Sequence, residues 1–263
     1  MRSILFVPAH KSHMFEKAFK SEADALCFDL EDSCPGEDNR KQGIENINKH
    51  VNKTDKKIIV RISHWEQVDK LHDAGYIMYP KAEGIDTWER INWALGPPAI
   101  LLIESALGVM NLFRAIQSFH TTGEWKDKIA GIAFGNEDYL ADTGCSDYSF
   151  AQNMVVTCAK AFGKFAIDTV HVDLDDVDNM FHHKCMRAVG MGFDGKLCIH
   201  PDQVAIANKC FTPSKNAYDR AQKVIELSKD EKGVGILDGL YIAPPMVKRA
   251  EKIIKKYEHY NNQ

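Results

Sequence analysis

Apolar and polar positions along this chain fall into two kinds of segment that repeat. Between the apolar runs lie segments with helical periodicity, at residues 14–23, 40–51, 65–74, 88–95, 111–119, 150–162 and 180–189. The apolar runs have strand length and begin at Ile4, Ala25, Ile58, Ile77, Ala99, Gly131, Val170 and Lys196. Strands that alternate with helices predict an α/β protein with a parallel sheet. Because the runs are almost continuously apolar, we expect the sheet to be buried on both faces.

The ends of the apolar runs favour a closed barrel over an open sheet. Nearly every run ends in polar or charged residues, which read PAHK, LEDS, RISH, PKAE, ESA, GNED, DLDD and IHPD in chain order. In a (β/α)8 barrel the carboxyl ends of all eight strands meet on one face, where the active site lies. One polar end is typical of any turn, but the whole series predicts a (β/α)8 TIM barrel.

The barrel is predicted over residues 1–212, and a C-terminal helical extension over residues 213–263. In the extension we expect a helix from about Asn216 to Ser228, a loop over residues 230–245 and a final helix from about Met246 to Tyr257. The extension is too short for an independent domain. We therefore expect it to pack on the barrel or on a neighbouring subunit.

Composition excludes several classes of partner. The 33 Lys and Arg against 37 Asp and Glu give a net charge of −4, with the signs interspersed, whereas nucleic-acid binders usually carry a basic excess. No apolar run approaches the roughly 18 to 20 residues that span a bilayer. Seven cysteines without a CxxC pair indicate buried thiols, so we expect a cytoplasmic protein.

Three acidic positions follow predicted strands and form a candidate metal site. They are residues 29–32, which contain Asp29, Glu31 and Asp32, then Glu104, then Asp138. Oxygen donors with few protein ligands suit Mg²⁺, which keeps several waters and leaves positions for substrate. Glu104 and Asp138 are the first choice for direct ligands, and the acids of residues 29–32 are expected to order the waters of the metal. Those three acids are equally compatible with capping a helix or pairing with barrel cations.

Basic groups also follow predicted strands. Arg61 has the fork geometry that binds a carboxylate or stabilises a developing enolate oxygen. Lys81 fits two interpretations equally, as a substrate ligand or as an internal counterion for the acids. His200 follows the eighth run and is a further candidate.

Taken in order, the sequence motifs resemble those of a known protein family. RSILFVPAHKSHMFEKA, ADALCFDLEDS, VRIS, YPKAE, LLIESALGVMN, AFGNEDYLADTG and GFDGKLCIHPDQVAIAN are similar to the citrate lyase beta subunit and malyl-CoA lyase group of the HpcH/HpaI aldolase superfamily. The resemblance covers essentially the whole chain. It implies a Mg²⁺-dependent (β/α)8 barrel that cleaves or forms a carbon–carbon bond between an acyl-CoA and a 2-oxo acid.

The resemblance also implies roles for individual residues. Glu104 and Asp138 match the metal ligands, and Arg61 matches the active-site arginine. Glu31 and Asp32 match acids that border the metal and are expected to be catalytic. The residues expected to bind substrate are Arg61, Lys81, Gly135, Asn136, His200 and Pro201. Family members commonly form homotrimers or hexamers, and nothing in the chain indicates citrate lyase alpha or acyl-carrier partners.

The implied chemistry agrees with these residue types. A 2-hydroxy acid binds Mg²⁺ through its carboxylate and hydroxyl, the metal lowers the pKa of the hydroxyl, and a base removes the proton. The adjacent carbon–carbon bond then breaks to give an oxo acid and a thioester enolate. Arg61 and the metal face the developing charges.

The chain departs from the family pattern at several positions. Ser63 stands where an Asn is usual, and Ala9 stands in place of a Gly. Near the C-terminus, Ala243 occupies the place of an Asp that a neighbouring subunit supplies as acid/base in many members. Asp238 lies five residues earlier and is expected to be a turn residue.

Three functions are therefore under consideration. The leading one is a Mg²⁺-dependent lyase acting on citryl-, malyl- or citramalyl-CoA or a similar ester. The second is an aldolase that acts on a free 2-oxo acid without CoA. The third is a binding protein that keeps metal and ligand recognition but lost turnover because Ala243 replaces the acid.

Overall fold

Eight parallel strands close into a barrel in the computed structural model, which describes residues 1–84, 87, 91, 96–121, 127–175, 177–229 and 235–261. Each strand pairs with the next, and the pairing of Ser3 with Lys196 joins the last strand to the first. The strands are β1 (Ser3–Pro8), β2 (Ala25–Asp29), β3 (Lys57–Arg61), β4 (Tyr76–Tyr79), β5 (Ala99–Ile103), β6 (Ile129–Phe134), β7 (Phe165–Asp168) and β8 (Gly195–Cys198). The predicted TIM-barrel fold is confirmed.

Alternate residues of these strands fill the barrel interior. Successive side chains of a strand point to opposite faces, so one set points inward and the other meets the surrounding helices. The inward set forms one buried cluster, which contains Ile4, Ala25, Cys27, Ile59, Met78, Ile100, Leu102, Ala133, Ile167 and Leu197. The interior is therefore packed with apolar side chains, and polar groups are left to the strand ends.

Helices follow most strands, and most of them bury apolar residues along one face. In the helix over residues 106–121, Val109, Leu112 and Ile116 are buried at helical spacing. The α-helices of this part within the described residues are α1 (Phe15–Lys20), α2 (Glu37–His50), α3 (Ala106–Thr121), α4 (Asn136–Thr143), α5 (Ser149–Ala161), α6 (His182–Met191) and α7 (Pro201–Phe211). Among the described residues, no helix is both long enough and apolar enough to cross a membrane.

One predicted helix is shorter than expected, and another lies almost entirely outside the described residues. Residues 65–74 were expected to form a helix, but the structure has a short 3-10 helix at Trp65–Lys70. The Gln67 side chain accepts the backbone N–H groups of Ser63 and His64, which stabilises a tight turn in place of a longer helix. The predicted helix at 88–95 lies outside the described residues, apart from Ile91.

The seventh strand begins earlier than the sequence pattern predicts. It spans Phe165–Asp168, whereas the apolar run from Val170 is irregular and leaves Val172 and Leu174 exposed. The predicted strand was wrong because this run does not continue the sheet: His171 is buried, whereas the apolar side chains of Val172 and Leu174 face solvent. The polar end of strand β7 is therefore Asp168 and Thr169, and not the DLDD that was read from the sequence.

Most cysteines are buried, as expected from the sequence. Cys27, Cys34, Cys158 and Cys198 are buried free thiols, and Cys145 is half-buried. Burial raises the pKa of Cys158 to about 11, which keeps its thiol protonated near neutral pH. These thiols therefore serve packing.

The chain divides into two compact units, Met1–Asn208 and Lys209–Gln263. The second unit contains α8 (Lys215–Ser228), β9 (Gly235–Leu237), β10 (Leu240–Ile242) and α9 (Pro244–Asn261). Helices α8 and α9 pack through a small apolar cluster that contains Ala221, Val224, Ile242 and Ala250.

The loop predicted over residues 230–245 contains an antiparallel hairpin. Strands β9 and β10 pair there, and Asp238 and Gly239 connect them. Both connecting residues have positive φ, 51° and 78°, as a type I′ turn requires. The expectation of a plain loop was wrong, although Asp-Gly between two apolar triplets is a known hairpin signal.

Candidate active site

A cavity of about 280 Å³ lies at the carboxyl ends of the barrel strands. This is the face on which TIM-barrel active sites are built. Apolar side chains, among them Phe6, Leu102 and Leu197, form part of its wall. Its charged lining residues are Asp29, Asp32, Arg61, Glu104, Glu137 and Asp138. The structure thus brings together charged residues from four strand ends that the sequence separates, those of β2, β3, β5 and β6.

Arg61 and Asp29 form a bidentate ion pair at one side of the cavity. The Arg61 Nε lies 2.7 Å from Asp29 Oδ1, and its Nη2 lies 2.7 Å from Oδ2. The two residues are neighbours because β2 and β3 pair with Asp29 opposite Arg61. Burial alone raises the pKa of Asp29, but the hydrogen bonds and charge of Arg61 outweigh burial and lower it. Both charges are therefore compensated inside the protein.

Asp29 also organises the loop that follows β2. Its carboxylate accepts hydrogen bonds from the backbone N–H of Glu31 at 2.9 Å and of Ser33 at 3.0 Å. The Ser33 hydroxyl donates to the same carboxylate at 2.6 Å. With Arg61, these contacts occupy both oxygens, so Asp29 orients the loop and leaves the more exposed acids to face ligands.

Glu31 and Asp32 occupy different positions around Arg61. The Arg61 Nη1 lies 3.1 Å from Glu31 Oε2 and 3.1 Å from Asp32 Oδ2. The Glu31 side chain is 13% exposed, and burial raises its pKa, whereas Asp32 is 59% exposed and lines the cavity. Of the two acids predicted to be catalytic, Asp32 is therefore the better placed to reach a ligand.

Lys81 contacts two acids through two different groups. Its backbone N–H donates to Glu104 Oε1 at 2.7 Å, and its Nζ lies 3.6 Å from Glu31 Oε1. Its φ of 48° lies in the left-handed region, which costs energy for any residue with a side chain. Of the two interpretations of Lys81, these contacts favour the internal counterion.

Glu104 follows β5 and is buried at 4% exposure. The pKa of Glu104 is raised to about 8, chiefly by burial; the Lys81 N–H opposes this shift, and the charges of Glu31 and Asp138 add to it. A Cβ added at Gly135 would lie 2.8 Å from Glu104 Oε2, so glycine leaves space for this carboxylate. The structure thus gives Gly135, which was predicted to bind substrate, a steric role beside Glu104.

Asn136 begins α4 and is held by Thr169. The Thr169 hydroxyl accepts the Asn136 backbone N–H at 2.8 Å and donates to Asn136 Oδ1. The Asn136 Nδ2 donates to Glu137 Oε1 at 2.6 Å. The Asn136 amide, predicted to bind substrate, therefore has protein partners at both ends, and the next two residues, Glu137 and Asp138, line the cavity.

His200 and Pro201 are not among the described residues that line the cavity. His200 Nδ1 lies 3.3 Å from Asp202 Oδ2, and Pro201 is the first residue of α7. Several lining residues escaped the sequence-based prediction, among them Glu137 and Thr169. Glu137 lies beside Asp138 in the same motif, and Thr169 was missed because the seventh strand was placed too late.

The acids fit a divalent cation that takes few protein ligands. Among the described residues, no three His, Cys, Asp or Glu side chains lie close enough to hold a metal ion by themselves. Mg²⁺ is usually held by one or two carboxylates, with water and substrate completing its shell. Glu104 and Asp138 on one cavity wall match this pattern.

Comparison with known proteins identifies the family. The family model described as HpcH/HpaI aldolase/citrate lyase matches residues 2–201. The chain belongs to this family. The sequence-based predictions of the family and of the carbon–carbon lyase class are confirmed.

Relatives extend over most of the chain. The citrate lyase subunit beta of Leuconostoc mesenteroides is 28% identical, and the match covers 97% of this chain and 92% of that protein. The mitochondrial citramalyl-CoA lyase of Mus musculus is 32% identical over 68% of this chain and 59% of that protein.

A solved structure has the same fold. It is CitE from Mycobacterium tuberculosis in complex with magnesium, acetoacetate and coenzyme A, with 25% identity and a TM-score of 0.80. The match covers 98% of this chain and 99% of that chain. A second structure, the citrate lyase beta subunit of the same organism with oxaloacetate and magnesium, has 25% identity and a TM-score of 0.67 over 81% of this chain and 97% of that chain.

Proposed function

We propose that this protein is a Mg²⁺-dependent lyase that cleaves or forms a hydroxyacyl-CoA, such as citryl-, malyl- or citramalyl-CoA. The products of cleavage are an acyl-CoA and a 2-oxo acid. The observation that carries the proposal is the charge of the cavity. Among the described residues that line it, five carboxylates face one guanidinium, and Arg61 is already paired with Asp29.

This charge excess requires a cation before an anionic substrate can enter. A hydroxy acid or 2-oxo acid carries its own carboxylate, and like charges repel strongly where water is limited. Glu104 and Asp138 would hold Mg²⁺. The bound ion would in turn bind the carboxylate and hydroxyl oxygens of the substrate and lower the pKa of that hydroxyl. Two similar proteins support this choice: the CitE structure in complex with magnesium and coenzyme A, and the citramalyl-CoA lyase of Mus musculus.

The chain's own residues divide the remaining tasks. Arg61, oriented by Asp29, donates to the substrate oxygen that gains negative charge. Asp32 is exposed to the cavity and accepts the proton of the substrate hydroxyl. The hydroxyl oxygen becomes the carbonyl of the oxo acid as the carbon–carbon bond breaks. The electron pair of that bond passes to the thioester fragment, which takes up a proton to become the acyl-CoA.

The assembly and location expected from the resemblance belong to the same proposal. They are a homotrimer or hexamer in the cytoplasm, with acyl-CoA and 2-oxo acid as the small-molecule partners.

Mass spectrometry of the products tests this function. The purified protein is incubated with citryl-, malyl- and citramalyl-CoA, and in parallel with the corresponding free hydroxy acids, once with Mg²⁺ and once with EDTA. We expect an acyl-CoA and its matching 2-oxo acid from at least one ester, with Mg²⁺ only. Glu104→Gln should give no product, and Glu45→Gln, an exposed carboxylate on α2, is the matched control that should retain activity.

Two outcomes would contradict the proposal. Cleavage of the free hydroxy acids with no cleavage of their CoA esters would establish the CoA-independent aldolase. Binding of Mg²⁺ and CoA ester without any product would establish a ligand-binding homologue. In that case Ala243→Asp would test whether the missing tail acid is the cause.

A further inference from the structure

A fully buried lysine lies behind the cavity wall, on the outer side of the barrel. Lys196 of β8 is 0% exposed, and its neighbour Leu197 points into the barrel interior. Because side chains alternate along a strand, Lys196 points toward the helices. Its ammonium donates to Asp168 Oδ2 at 2.7 Å and to the Thr169 carbonyl at 2.8 Å. Buried ion pairs often add no net stability, so stability alone does not explain this placement.

Asp168 and Thr169 connect this lysine to the cavity. The second oxygen of Asp168 accepts a hydrogen bond from Gln152 Nε2 at 2.7 Å, so its carboxylate is fixed from two sides. Thr169 is the next residue, it is 2% exposed, and it lines the cavity. Lys196 therefore holds the carbonyl of the residue whose hydroxyl bonds to α4.

The Thr169 hydroxyl fastens the first turn of α4. The first N–H groups of a helix have no partner within the helix, and Thr169 accepts one of them, from Asn136, at 2.8 Å. The same hydroxyl donates to Asn136 Oδ1. Asp138 lies two residues further along this turn. A continuous set of hydrogen bonds thus leads from Lys196 to the turn that carries the candidate ligand.

We propose that Lys196, Asp168 and Thr169 are positioning residues that hold Asp138 at the geometry required for a divalent cation. Neither Lys196 nor Asp168 lines the cavity, so both act through Thr169 and Asn136. The role of Asp138 rests on the proposed function, whereas the attachment of α4 to β7 rests on the hydrogen bonds alone. Partners of this kind behind a metal ligand typically change metal affinity by about 10-fold to 100-fold.

Hydrogen exchange and Mg²⁺ titration test this assignment. Thr169→Val removes the hydroxyl and keeps the volume, and Thr169→Ser is the matched control that keeps the hydroxyl. In metal-free protein we expect the Asn136 amide to exchange at least about tenfold faster in Thr169→Val, with little change in peptides distant from α4. Calorimetric Mg²⁺ affinity should fall about 10-fold or more in Thr169→Val and remain near wild type in Thr169→Ser.

A second variant tests the lysine. Lys196→Met combined with Asp168→Asn removes both buried charges together. No unpaired buried charge is left, so the double variant avoids the large destabilisation expected of either single substitution. We expect faster exchange over residues 135–143 and about tenfold weaker Mg²⁺ binding.

The outcomes separate the two proposals. Unchanged exchange at residues 135–143 in both Thr169→Val and the double variant would overturn the positioning role, as would an increase spread evenly over the whole protein. If the wild type binds no Mg²⁺, the proposed function fails, and local exchange in the metal-free protein still decides whether Thr169 and Lys196 fix α4.

Discussion

The two sides of the cavity handle buried charge in opposite ways. On the side of β2 and β3, Asp29 and Arg61 compensate each other, and backbone and hydroxyl donors fill the remaining positions. On the side of β5 and α4, Glu104 is equally buried, yet in the described part of the chain it forms no ion pair and accepts from the Lys81 N–H. On the first side, the buried charges are compensated within the protein. On the second side, the Glu104 carboxylate is stable in its ionised form only when a cation binds beside it.

The difference shows why similar acids have different tasks. Strands β2 and β3 place an acid and a base in register, so the pair forms as the barrel closes. Strand β5 places Glu104 beside Gly135, where the missing side chain leaves space for the carboxylate. Charge neutralised within the fold gives orientation, and charge left without compensation gives affinity for a ligand.

Removing the arginine should have the largest effect on stability. Arg61→Met leaves Asp29 buried and unpaired, so we expect the free energy of unfolding to fall by about 3–5 kcal/mol. Urea denaturation followed by circular dichroism measures this loss. A loss below about 1 kcal/mol would show that water replaces Arg61 and that the first side is not self-contained.

Adding one methyl group at Gly135 should damage the other side without touching a charge. In Gly135→Ala the new Cβ meets Glu104 Oε2 at 2.8 Å, so we expect about 1–3 kcal/mol of destabilisation from overpacking. Mg²⁺ affinity should fall as well, because Glu104 must move. Gly84→Ala is the matched control, since a Cβ there would have no neighbour within 4 Å. Equal unfolding energies in the two variants would contradict the assigned role of Gly135.

Neutralising Glu104 should affect the free energy of unfolding much less than removing Arg61. In metal-free protein we expect Glu104→Gln to leave the free energy of unfolding within about 1 kcal/mol of wild type, or to raise it, because burial makes this carboxyl costly to ionise and the amide carries no charge. Calorimetric Mg²⁺ binding should be lost in the same variant. A fall in stability as large as that of Arg61→Met would mean that Glu104 has a structural partner.

The Arg2–Asp24 ion pair lies remote from the cavity, and we expect it to make a small contribution to the free energy of unfolding. Burial alone raises the pKa of Asp24, but the hydrogen bonds and charge of Arg2 outweigh burial and lower it below its ordinary value in the folded protein. Its contribution is therefore present above the unfolded pKa and is lost as the pH falls through the folded value. We expect Asp24→Asn to cost about 1 kcal/mol at pH 7, with the difference from wild type shrinking below about pH 4. Denaturation from pH 3 to pH 7 checks this, and a constant difference would contradict it.

Prediction from sequence succeeded where periodicity carries the information. Seven of the eight predicted runs correspond to barrel strands, and the run at Val170 failed because its apolar residues lie in an exposed loop. The acids and Arg61 were found because each lies at or shortly after the carboxyl end of an apolar run. Thr169 and Lys196 were not found, since a hydroxyl and a buried lysine become informative only through partners on other strands.

The sequence by itself determined the alternation of strands and helices, the polar strand ends and the family, because these depend on local pattern and residue order. Only the tertiary structure decided which acids are neutralised and which face the cavity. Asp29 and Glu104 both lie at the carboxyl ends of apolar strands, but one meets a guanidinium across a strand pair and the other meets a glycine. The charge state of a buried acid depends on neighbours that are distant in the chain, so folding had to bring them together first.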